Sequence, residues 1–360
     1  MTSTPSEGFW PQGKRCAAIV SVIFDDGLDA IAQAPDLRGR SKSYSVWQYG
    51  ATRGVERLCN AFAAAGMSTS WFVPGLVAER HERLLRDVVS AHHELESRGW
   101  AFERYDGMPA TAAVELLQRS RETLSSIASN DVSGFRLPAG NWPRHFDRML
   151  LQAGYSWSAS LSGDDVPYSH SSSLVEIPVH IELEDRPYFQ FNFTPAFPKG
   201  QGRIPSYEAV LGNWIAEFDA YRKYGLCYVI QLRPEWTGTP GRIALIEELL
   251  RHIRGFDDVW LATAAEVARW HGRKGIAAPG DHPINVYEAY AVFVNKFFDR
   301  NCAGIFTSNF FQLLIFHRQY FTFFVFIGFS DFFPGYFLFS FGIDAFIFYS
   351  RIITLIDLMK

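Results

Sequence analysis

The chain has 360 residues, 48% hydrophobic and 20% charged, which excludes an intrinsically disordered protein and allows one large α/β domain or two medium ones. A formal net charge of −4 supplies no basic field, which argues against nucleic acid as a partner. The four cysteines (Cys16, Cys59, Cys227, Cys302) are scattered without a CxxC pair or zinc-ligand spacing, as expected of reduced thiols.

In chain order, the opening MTSTPSEGFWPQGKR lacks the basic-then-apolar pattern of a signal peptide, so a cytoplasmic protein is expected. Residues 16–24 (CAAIVSVIF) form an almost unbroken apolar run, typical of a strand buried on both faces. Val55, Leu58, Phe62 and Ala65 recur at helical spacing before Gly66, predicting a helix over 54–65. A strand over 69–73 closes at Pro74-Gly75, and a helix over 82–89 precedes a short strand at 93–99. A long amphipathic helix covers 110–127, and strands at 134–138 and 155–161 flank a helix over 144–153. Further strands are expected at 174–181, 226–232 and 259–262, with helices over 207–224, 242–253 and 264–271. Repeated strand–helix units imply parallel strands with helices outside them, an α/β fold. The number of units favours a distorted (β/α) barrel of about seven strands. Reactive groups in such barrels sit where strands end and loops begin.

Those strand ends direct attention to Asp25-Asp26, to 98–102, to 136–138 and to Arg233-Pro234-Glu235. Asp25-Asp26-Gly27 is a turn signal. It also fits a base beside a metal ligand, since carboxylates this close need a cation or a shared proton.

Phe24-Asp25-Asp26-Gly27 resembles the first motif of the polysaccharide deacetylase superfamily (carbohydrate esterase family 4, NodB-homology domain). Ser70-Trp71-Phe72-Val73-Pro74-Gly75 is similar to its second strand, and His93-Glu94-Leu95 to the approach to its metal loop. Gly134-Phe135-Arg136-Leu137-Pro138 resembles its Arg-x-Pro motif. Leu232-Arg233-Pro234-Glu235, with Val259-Trp260 after it, resembles the final His-Pro-Glu strand and its successor. The blocks span about residues 8–272. Ser162–Tyr168 and Val175–His180 resemble the intracellular allantoinase, cyclic-imidase and peptidoglycan-deacetylase-like branch, which implies hydrolysis of non-peptide C–N bonds.

The resemblance assigns Asp25 as base, Asp26 as the retained metal-ligand candidate and Arg136 as the residue orienting the base. It makes Asp165, Tyr168, Glu176, His180 and Glu235 candidate pocket residues, and it implies a zinc ion. Two departures stand against that ion. The two metal-loop histidines are replaced by Arg98 and Phe102, and the acid histidine of the last strand by Arg233. The adjacent His92 and His93 point to opposite faces of a strand and cannot substitute for ligands four apart. No cofactor is therefore expected. Arg98 and Arg233 are expected to supply positive charge near the aspartates, in place of the ion, or to grip an anionic substrate.

A metal-free site favours opening of a cyclic imide or ureide over deacetylation of a sugar. The alternative is an inactive homologue that binds a ligand or a partner subunit. The expected partner is a small or sugar-like molecule, and the resemblance implies a homo-oligomer. The barrel is expected over 1–280. Of 32 phenylalanines, 19 fall between Asn285 and Lys360, so 285–360 is a separate Phe-rich tail. Three readings of the tail stay open: a membrane-associating segment, translated noncoding sequence, and a partner-binding extension.

Overall fold

The computed structural model describes residues 8–190, 192–193, 196–197, 205–274, 282 and 284–285; the Phe-rich tail lies outside them. Eleven strands are described: β1 (Cys16–Ile23), β2 (Ser70–Val73), β3 (Glu94–Ser97), β4 (Gly134–Phe135), β5 (Trp157–Ser158), β6 (Tyr168–Ser169), β7 (Val175–Glu176), β8 (Asn192–Phe193), β9 (Ala196–Phe197), β10 (Cys227–Leu232) and β11 (Val259–Leu261). Nine of them make one curved sheet in the order β10-β1-β2-β3-β4-β5-β7-β6, with β11 also on β1. All pairings in it are parallel except β6 with β7. Every strand expected from the sequence lies in this sheet, and the architecture is the distorted (β/α) barrel. Beyond β7, a parallel bridge from Glu184 to Gln231 of β10 leads the sheet back toward its first edge.

The helices are α1 (Leu28–Gln33), α2 (Ser41–Tyr49), α3 (Val55–Ala64), α4 (Gly75–Arg80), α5 (Glu82–Ser90), α6 (Ala110–Ala128), α7 (Phe146–Gln152), α8 (Arg186–Phe189), α9 (Tyr207–Tyr224), α10 (Pro234–Thr237), α11 (Pro240–Arg254) and α12 (Ala264–Lys274). No helix among the described residues is long and apolar enough to cross a membrane. A π-helical turn, Gly50–Gly54, joins α2 to α3 and was not legible as an element in the sequence.

Strand β1 organises the core because its period of two feeds both of its faces. Cys16, Ala18, Val20 and Val22 pack into the layer beneath the helices. Ala17 and Ile19 pack inward with Phe72, Trp157, Val229 and Ala268. Continued past Ile23, this alternation sends Asp25 inward and Asp26 the other way. Because the strands run parallel, Asp25, Arg98, Arg136 and Arg233 all emerge at one end of the barrel.

Candidate functional site

Asp25 is fully buried, and the Arg98 guanidinium holds one of its oxygens, Nε to Oδ1, at 2.7 Å. Its Oδ2 has no hydrogen-bond partner among the described residues. Burial raises the Asp25 pKa above the usual carboxylate range, and Arg98 opposes that rise. Arg98 also donates to the carbonyls of Leu137 (3.2 Å) and Pro138 (3.4 Å) and lies over the Phe102 ring at 5.3 Å. Arg98 and Phe102, the pair that replaces the two histidines, thus contact each other, and Arg98 neutralises Asp25.

Asp26 leaves this centre. Its backbone is left-handed (φ 47°), followed by Gly27 at φ 82°, where an added Cβ would sit 3.0 Å from Trp47. The turn delivers the Asp26 Oδ2 to Arg80 Nη1 at 2.7 Å and His81 Nε2 at 3.1 Å. The Tyr44 hydroxyl donates to the Asp26 carbonyl at 3.0 Å. Asp26, Tyr44, Gln48, Ala51, Thr52, Arg80 and His81 line a depression of about 630 Å³. Sequence reasoning missed Tyr44, Arg80 and His81. The only available signal was their position beside the loops that follow β1 and β2.

Arg136 is buried, with its guanidinium 5.7 Å from the centre of the Phe72 ring and Nη1 unpartnered among the described residues. It makes no hydrogen bond to Asp25 there; the tether on that carboxylate is Arg98. Burial, reinforced by Arg98, lowers the Arg136 pKa to about 9. Arg233 pairs with Glu184 at 2.7 Å and Asp185 at 3.3 Å, so most of its charge is spent on carboxylates that the sequence reading did not single out. Burial disfavours the charge on Arg233, but Glu184 and Asp185 outweigh it and raise its pKa. Asp185 also accepts from the Arg233 amide at 2.6 Å and from the Thr237 hydroxyl. Glu235 is buried with Oε1 unpartnered among the described residues, and burial, with Asp29 adding to it, raises its pKa well above the ordinary value.

The other candidates form a separate group. His180 Nε2 lies 3.2 Å from the Asp164 carbonyl and 3.6 Å from Asp165 Oδ1. Glu176 accepts from the amides of Ser160 (2.5 Å) and Leu161 (2.9 Å) and pairs with His170 at 3.2 Å, fixing the loop after β5. Tyr168 is buried and stacks on His282 at 3.9 Å. Among the described residues, neither Asp165 nor His180 makes a hydrogen bond or ion pair with Asp25, Arg98 or Arg136.

Zinc, the ion implied by the resemblance, does not fit this donor set. It would need about three protein ligands, and no group of three His, Cys, Asp or Glu side chains suited to a metal exists among the described residues. A cation beside Asp25 would meet the Arg98 guanidinium, and the Asp26 carboxylate is turned toward Arg80 and His81.

Residues 13–157 match the family model described as polysaccharide deacetylase. The chain is 23% identical over 245 residues to a peptidoglycan deacetylase of Helicobacter pylori, covering 60% of this chain and 82% of that protein. A crystal structure of a putative polysaccharide deacetylase from Mycobacterium smegmatis superimposes with a TM-score of 0.70 at 29% identity, covering 78% of this chain and 96% of that one. The crystal structure of Puue allantoinase gives 0.65 at 20% identity, covering 77% and 96%, a likeness of fold.

Proposed function

The chain belongs to the polysaccharide deacetylase superfamily of hydrolases, and from that premise we propose that it opens cyclic imides or ureides by hydrolysis of a C–N bond, without the family's metal ion. The observation that carries this reading is the state of Asp25, with one oxygen tied to Arg98 and the other unpartnered among the described residues. Burial makes this carboxylate a stronger base than a solvated aspartate. Its free oxygen would take a proton from water as the water oxygen adds to the ring carbonyl. The Nη1 of Arg136, unpartnered among the described residues, is a donor for the oxyanion that develops.

The choice of substrate class rests on a donor set among the described residues that does not suit a zinc ion. A metal lowers the pKa of bound water from about 15.7 to about 7, and each unit is worth roughly 1.36 kcal/mol. An aspartate cannot supply that activation, so the carbonyl must be more electrophilic than an acetamide. Arg233 stays charged and cannot pass a proton to a leaving amine. An imide or ureide nitrogen is acidic enough to leave with help from water alone. A second reading, a ligand-binding homologue without turnover, is favoured by the complete burial of Asp25.

The test is turnover of hydantoin, succinimide and allantoin by the purified full chain, beside acetate release from N-acetylglucosamine oligomers, each with EDTA or added zinc. The expected result is ring opening that EDTA leaves unchanged and that Asp25→Asn lowers by about 10²-fold or more. Ring binding without turnover would support the second reading. Zinc-dependent acetate release would overturn the proposal.

A further inference from the structure

Glu235 is the counterpart of Asp25 on the neighbouring strand end. Val22 of β1 pairs in register with Leu232 of β10, and Asp25 and Glu235 each lie three residues beyond that pair. The two residues therefore follow adjacent parallel strands at one level of the reacting end. Glu235 and Asp29, in α1, are both buried. Neither oxygen of Asp29 nor Oε1 of Glu235 has a hydrogen-bond partner among the described residues. The backbone fixes Glu235 in place. Gly50, in the outer wall of helices, lies so close that a Cβ there would sit 3.0 Å from the Glu235 amide nitrogen.

A buried carboxylate without a counter-ion is costly, so Glu235 keeps its proton. Its neighbours favour that state. Arg233, the cation that acts on it, is already paired with Glu184 and Asp185. From α3 and α11, Arg57 and Arg242 donate to the carbonyls of Gly238 and Trp236 at 3.0 and 3.1 Å. Burial raises the pKa of both Glu235 and Asp25. Arg98 opposes the rise at Asp25, while the Asp29 charge adds to it at both, so Asp29 couples the base to Glu235.

We propose that Glu235 is the proton donor to the leaving nitrogen, with Asp29 as the positioning residue that keeps the proton on it. As the C–N bond breaks, its electron pair goes to the nitrogen and the Glu235 proton follows. The water proton taken by Asp25 then replaces the one that Glu235 has lost, and the site resets without a co-reactant. This rests on the ring-opening reading and supplies the acid that Arg233 cannot be. The benefit grows as the leaving nitrogen becomes less acidic, so a ureide ring gains more than an imide.

The experiment measures opening of hydantoin and succinimide by the full chain against pH, for the wild type, Glu235→Gln and Asp29→Asn, with folding followed by circular dichroism. Glu235→Gln is expected to lower turnover by about 10²-fold for hydantoin and by about tenfold for succinimide, and to remove the alkaline limb of the profile. Asp29→Asn is expected to move that limb to lower pH. No loss in Glu235→Gln, or an equal loss on both rings with the alkaline limb kept, would overturn the inference and leave the ring reading standing. Should Glu235→Gln fail to fold, Asp29→Asn decides, and an unmoved limb would overturn the inference. Turnover of neither ring by the wild type would overturn the ring reading and this inference with it.

Discussion

Arg98 carries its charge where burial would be costly for an isolated ion, and its surroundings compensate. Asp25 supplies the counter-charge at 2.7 Å, two carbonyls take further N–H groups, and Phe102 offers a ring face. A buried pair of this kind adds little net stability compared with apolar residues, but breaking one side is severe. Arg98→Ala should therefore cost about 3–5 kcal/mol at pH 7 by denaturant titration. The loss should shrink in acid, where protonating Asp25 removes the stranded charge. The double replacement Arg98→Met with Asp25→Asn should recover most of the loss. Equal destabilisation by Arg98→Ala at pH 7 and pH 4.5 would show that the guanidinium fills space and does not neutralise Asp25.

Among the elements, the π turn at Gly50–Gly54 connects the outer wall to the barrel. A Cβ at Gly54 would lie 2.1 Å from the Pro234 carbonyl oxygen, a backbone atom that cannot rotate away. Gly54→Ala should therefore cost about 3 kcal/mol, the upper end for overpacking. Gly212 is the opposite case, exposed on α9 with nothing near an added Cβ. Gly212→Ala should stabilise by about 0.5–1 kcal/mol in the same denaturant titration, because helical glycine loses more chain entropy than alanine. Gly54 and Gly212 read alike in the sequence; only contacts made 180 residues away separate them. The long strands and helices were legible because apolar residues recur at periods of 2 and 3.6 along them. Helices α1, α4, α8 and α10 were not, since four to six residues give too few turns for a period to register, and neither was α2, whose nine residues bury only Trp47. Asp25 and Arg98 were legible as site candidates through their motifs. The partners of Arg233, and the turn of Asp26 toward His81, depend on long-range pairing and on one left-handed residue.

The whole molecule holds buried titratable groups whose effects on acid stability oppose one another. Burial lowers the His93 and His271 pKa values to about 4, from an ordinary 6.5. The unfolded chain therefore takes up protons at these sites before the folded chain does. The stability they contribute is complete above pH 6.5 and is lost as the pH falls toward 4. Asp185 has the reverse sign. Burial, opposed by Arg233, raises its pKa from 3.8 to about 6, so the folded chain is first to bind that proton. Its contribution is present below pH 3.8 and is lost as the pH rises through 6. His271→Phe should thus gain relative to the wild-type chain on going from pH 7 to pH 4.5, by roughly 2–3 kcal/mol. Asp185→Asn should lose relative to the wild-type chain over the same interval, by roughly 2 kcal/mol. Denaturant titrations at the two pH values measure both, and difference curves cancel the other buried carboxylates that titrate alike in each protein. Should Asp185→Asn move with His271→Phe, the aspartate would be ionised in the folded chain throughout. The Arg233 cluster that receives the closing bridge of the sheet would then be a full ion pair at every pH tested.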